Sequence, residues 1–151
     1  MPRSYQTLTL EDAKRMSSAG EAMATRLGIA YNIAVVDAGG HLLAFVRQDG
    51  ALIGSIDLAI DKAVTSRIFD KSTAELATLA APGKPLFGIH QSNSGKVVIF
   101  GGGLPVTIDG TIVGAVGTSA GTVEQDNAVA RAAVAALVPP ASSSDPNTSA
   151  Q

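Results

Sequence analysis

Residues 31–50 read YNIAVVDAGGHLLAFVRQDG, and this stretch decides the fold. Two strand-like runs rich in β-branched and apolar residues flank the turn-forming residues Asp37 to Gly40, the pattern of a β-hairpin. A hairpin makes its strands antiparallel. In the second run Leu42, Ala44 and Val46 fall on one side, Leu43 and Phe45 on the other. Apolar residues on both faces call for helices on both sides of the sheet.

The flanking segments supply those helices. Upstream, TLED places Thr9 and Asp12 at capping-box spacing. Leu10, Ala13, Met16, Ala19, Met23 and Leu27 then recur with helical period before Gly28, a natural stop. Downstream, Ser55 opens a second helix, with Ile56, Ile60, Ala63, Val64 and Arg67 near one face. Ser72 and Glu75 cap a short third helix, which APGKP ends. The segment KVVIFGGGLPVTIDGTIVGAVGTS reads as three short strands, the last two joined by a tight turn at Asp109-Gly110. Thr122 opens a final helix that runs to Pro139 and Pro140. The predicted order α-β-β-α-α-β-β-β-α lacks the alternation of a parallel sheet. The expected fold class is α/β (α+β), a three-layer α/β/α domain around a mainly antiparallel sheet. Residues 1–138 form this one domain, and 139–151 are predicted to be a disordered tail.

Composition narrows the function. Hydrophobic residues make up 46% of the 151-residue chain and charged ones 16%, which suits a folded protein whose surface is partly covered by copies of itself. The net charge of −2 offers no basic field for nucleic acid or an anionic membrane. Without cysteine there is no disulfide, thiolate metal site or cysteine nucleophile. The stretch MPRSYQTLTLEDAKRM lacks the apolar core of a signal peptide, and no apolar run reaches membrane-spanning length. A cytoplasmic location is expected.

Several motifs invite chemistry. GTSAG, residues 117–121, spells the nucleophile elbow G-x-S-x-G. That fold needs a histidine after the serine, whereas His41 and His90 both precede Ser119. The elbow reading fails. The same segment offers backbone N–H groups at a helix N-terminus, suited to a carboxylate or phosphate, or glycines that let helix and strand pack closely. Gly101, Gly102 and Gly103 lack the Lys-Ser/Thr of a phosphate loop; they mark a bulge or a backbone approached by a ligand or neighbouring subunit. His41, at the turn edge, is a candidate metal or heme ligand or an acid/base, or else a solvent-facing turn residue. Arg47 lies on the same side of the strand but roughly 20 Å away at about 3.3 Å per residue. Asp57 and Asp61 share a helix side, where Asp57 also suits the helix dipole. Glu124 and Asp126 carry the same dipole explanation, and His90 lies in a polar connection able to edge a pocket.

Taken together, NIAVVDAGGHLLAFVRQDGA, GSIDLAIDKAVTS, PLFGI, IFGGGLPV and GAVGTSAGTVEQDNAVARAAVAAL resemble the GlcG/HbpS family, which includes the carboxy-terminal domain of PduO-type corrinoid adenosyltransferases. The resemblance runs from about Leu8 to Leu137. It implies a profilin-like fold, homo-oligomers (dimers, and octamers built from them), and heme binding or heme degradation in some members. It places His41, Arg47, Asp49, Lys62, Gly101 to Gly103, and Glu124 to Asp126 in family motifs. It implies no adenosyltransferase activity for this domain alone. Extracellular heme sensing is not expected, because the export signal of the sensing members is not visible.

Two functional expectations follow. One is a binding module for heme or a related tetrapyrrole, with His41 on the metal and Arg47, Lys62, Gly101 to Gly103, Thr122 and Glu124 around the ligand. The other is a tautomerase, hydratase or decarboxylase acting on an oxygenated organic acid. There His41 or Asp49 would be the acid/base, and Arg47 or Lys62 would hold the carboxylate.

Overall fold

In a computed structural model, described here for residues 1–138, the hairpin forms as read. Strands β1 (Asn32–Asp37) and β2 (Leu42–Arg47) pair antiparallel. The Asp37 carboxylate organises their turn by accepting from the N–H groups of Gly39 and His41, both at 2.9 Å. Strands β3 (Gly103–Ile108) and β4 (Thr111–Ser119) make a second hairpin around Asp109 and Gly110, both with positive φ. The sheet order is β2-β1-β4-β3, antiparallel throughout.

Helices cover both faces. Helices α1 (Leu10–Leu27) and α5 (Val123–Ala135) pack on one side, and α2 (Ser55–Phe69), with the short α3 (Thr73–Leu79), on the other. Alternation along β1 feeds both layers: Ile33 and Val35 join the core under α1 and α5, while Ala34 and Val36 meet Ala59 and Ala63 of α2. Capping boxes start α1, α3 and α5 at Thr9–Asp12, Ser72–Glu75 and Thr122–Gln125. Residues 139–151, for which the sequence predicts a disordered tail, lie outside the described residues.

Three expectations need correction. Lys96–Phe100 is not a strand, and the sheet has four strands among the described residues. Thr65 of α2 takes over its hydrogen bonding, accepting from the Val98 N–H at 3.1 Å, which leaves Val97 and Val98 buried without a ladder. The strand faces of β2 also break alternation. The register slips opposite Val35/Val36, so Leu43 packs into the same core as Ala44. The fully buried residues of α2 are Ser55, Ala59, Lys62, Ala63, Thr65 and Ser66; of the expected stripe only Ala63 is among them, with Ile60 and Val64 packed partly buried beside it.

Glycine explains that choice of face. Gly103 and Gly117 sit opposite each other in β3 and β4. A Cβ on Gly117 would collide with the Ala59 carbonyl oxygen, and one on Gly103 would lie 2.5 Å from the Lys62 carbonyl oxygen. The backbone of α2 therefore rests on bare sheet, where only small side chains fit. The GTSAG segment serves close packing.

Beyond these helices, a 3-10 turn (Ile89–Gln91) runs into α4 (Ser92–Gly95), where Asn93 and Ser94 take left-handed φ values of 51° and 59°.

Candidate functional site

At the end of the sheet where β4 exits, three buried polar side chains meet. Lys62 projects from α2 with no exposed surface. Its Nζ lies 2.8 Å from Asp126 Oδ2, donates to the Thr118 carbonyl at 2.9 Å, and sits 5.1 Å from the centre of the Phe100 ring. The other carboxylate oxygen of Asp126 accepts from Tyr31 Oη at 2.8 Å and from the Gly121 N–H at 2.9 Å. Burial pulls the Lys62 ammonium below its ordinary range, while Asp126 holds it up. Burial first, and then the hydrogen bond and charge of Asp126, raise the Tyr31 phenol. The ammonium and both carboxylate oxygens of the ion pair are hydrogen-bonded, which helps a buried pair to be tolerated.

This arrangement answers what the N-terminus of α5 binds. The Gly121 N–H goes to Asp126, and the Thr122 N–H to Gln125 Oε1 at 2.9 Å. The chain supplies its own anion. Gly101 to Gly103 are likewise engaged from within. The Gly102 N–H donates to Asn127 Oδ1 at 2.9 Å and the Gly103 N–H to Thr73 Oγ1 at 2.8 Å, and a Cβ on Gly102 would lie 2.7 Å from Lys62 Nζ.

Of the residues expected to share a ligand, His41 stands apart from the rest within one protomer. His41 is exposed at the hairpin turn, at the end of the sheet opposite Arg47, Lys62 and Gly101 to Gly103. Arg47, Asp49, Thr122 and Glu124 are exposed, whereas Lys62 is sealed. Ser119 is buried at the end of β4. Among the described residues no group of three or more His, Cys, Asp or Glu side chains is placed to hold a metal ion.

A cleft of about 310 Å³ opens elsewhere, between α2 and the irregular segment before β3. Leu58, Val97, Val98 and Phe100 form apolar walls, with Asp61 and His90 as the ionisable side chains. Phe87 meets the His90 ring edge-on at 6.3 Å between centroids. His90 Nδ1 is buried with no hydrogen-bond partner. Burial raises the Asp61 carboxyl, Lys96 opposes that rise, and Asp57 adds to it. The sequence foretold a pocket edge at His90. Phe87 and Phe100, spaced irregularly in a Gly- and Pro-bearing connection, gave no periodic signal.

Comparison with known proteins places this architecture. Residues 8–135 match the family model described as haem degrading protein HbpS-like. The chain belongs to the HbpS-like family. A 15.0 kDa protein from the dhaT-dhaS intergenic region of Citrobacter freundii is 42% identical over 128 residues, covering 85% of this chain and 90% of its own. The family member ORFY of Klebsiella pneumoniae has a TM-score of 0.89 at 37% identity, over 92% of this chain and 96% of that one. PduOC, solved as a heme complex, has a TM-score of 0.84 at 36% identity, over 87% of this chain and 95% of that one. The match to the complete PduO corrinoid adenosyltransferase of Salmonella typhimurium, 36% identical, spans 42% of that protein's length. These relatives agree with the resemblance read from the sequence motifs.

Proposed function

We propose that this HbpS-like protein binds heme or a related tetrapyrrole as a self-associating module. The observation that carries the reading is its kinship to PduOC, whose heme complex has the same fold over nearly its full length. The donor set supports it. With no cysteine, His41 and His90 are the imidazoles able to give iron a neutral nitrogen ligand. Exposed Leu52, Ile53 and Phe87, at 64%, 75% and 62% of their full surface, support self-association or ligand cover. No helix among the described residues is long and apolar enough to cross a membrane, and a cytoplasmic location is part of this proposal. The alternative, with His41 or Asp49 as acid/base and Arg47 or Lys62 holding a carboxylate, gains no support within one protomer, because His41 lies at the far end of the sheet and Lys62 is sealed.

Hemin titration of the purified protein tests the reading. A saturable Soret shift with defined stoichiometry is expected, on a species that light scattering finds larger than a monomer. Absence of any shift at micromolar protein removes heme from the function.

A further inference from the structure

We infer that the cleft between α2 and residues 95–100 is where the macrocycle docks, with His90 rather than His41 on the iron. This rests on the heme reading above and deepens it. Three observations converge on the cleft.

The first is the imidazole. Metal ligation needs a lone pair on the nitrogen that faces the metal and the proton on the other. Nδ1 of His90 is buried with no hydrogen-bond partner. No protein group therefore fixes which ring nitrogen carries the proton, and the imidazole lone pair is uncommitted and free to meet a metal. Phe87, edge-on to the ring, limits how the imidazole turns. His41, by contrast, stands on an exposed turn whose backbone is already committed to Asp37.

The second is the wall. Phe100 keeps 41% of its surface exposed beside buried Val97 and Val98, and Phe87, against the His90 ring, keeps 62%. Exposed aromatic faces flanking an imidazole suit a flat apolar guest. At about 310 Å³ the cleft matches the lower end of small-molecule pockets, so the macrocycle lies across its mouth, with the iron over His90 and much of the ring outside.

The third is charge. Lys96, next to Val97 in sequence, lies close enough to Asp61 to act on its carboxyl. Its ammonium is available to a propionate at the rim.

The test compares hemin binding to the wild type, His90→Ala and His41→Ala, using Soret absorbance and electron paramagnetic resonance, with circular dichroism to check folding. The expected result is at least roughly tenfold weaker binding and loss of the wild-type axial signature in His90→Ala. Added imidazole restores that signature, which a merely structural role for His90 would not allow. His41→Ala keeps both affinity and signature. If the wild type binds hemin and His90→Ala has an unchanged spectrum, or His41→Ala alone loses it, the assignment to His90 is overturned while the heme reading stands. If the wild type fails to bind, the heme reading itself falls, and the assignment with it.

Discussion

The two faces of the sheet are built on different principles. Under α1 and α5 the core is large and apolar: Met16, Tyr31, Ile33, Val35, Val116 and Val129 are all fully buried. Under α2 it is made of Ala34, Val36, Ala59, Ala63 and Ala115, beside the bare backbone of Gly103 and Gly117. The first face is held by buried apolar area. The second is held by close approach, which leaves little area to bury and makes geometry decisive. The buried Lys62 and the cleft both lie along α2. Where side chains are small, room remains for polar groups.

The largest effect expected from breaking this contrast is at Lys62. Lys62→Met strands the Asp126 carboxylate in the interior, and a loss of about 3–5 kcal/mol is expected in urea unfolding. Adding Asp126→Asn should recover part of that loss. Equal stability of the single and double variants would show that the loss does not come from the stranded carboxylate. Next comes Gly117→Ala. One added carbon against the backbone of α2 should cost about 3 kcal/mol, the upper end for overpacking. The same change in composition on an exposed helix would be neutral or favourable. A smaller, pH-dependent effect is expected at Asp61. Its carboxyl is raised in the folded state, so folding favours the protonated form. That contribution is full below the ordinary carboxylate range and is lost as pH rises through the folded value. Asp61→Asn should therefore stabilise the protein at neutral pH, with the gain vanishing on acidification. A gain that persists unchanged at low pH would contradict this origin.

Much of the architecture was legible because it is written locally. Both hairpin turns, the three capping boxes and the stop at Gly28 depend on residues within a few positions of one another. Lys96–Phe100 looked like a strand because β-branched residues also suit a buried irregular segment. It pairs with neither edge strand of the sheet, and Thr65 of α2 supplies a hydrogen bond to Val98 instead.

The site was less legible because its partners are distant in sequence. Still, there was a signal. Asp126 falls on the buried stripe of α5 with Val129, Ala130 and Ala133, and Lys62 falls on that of α2 with Ala59, Ala63 and Ser66. Opposite charges on two buried stripes must find each other. The helix-dipole explanation for Asp126 obscured that. No comparable pattern marked the cleft, since His90, Phe87 and Phe100 lie outside any periodic element.

The Asp126 carboxylate has a further consequence, for the order in which the protein can be made. It is the partner of Lys62, 64 positions earlier, and of Tyr31, 95 positions earlier. During translation Lys62 waits in an emerging chain for a counter-charge, and Tyr31 for an acceptor, that has not been synthesised. A ribosome-bound fragment ending before α5 must keep its central lysine hydrated, so native closure of α2 onto the sheet belongs to the final moments of synthesis.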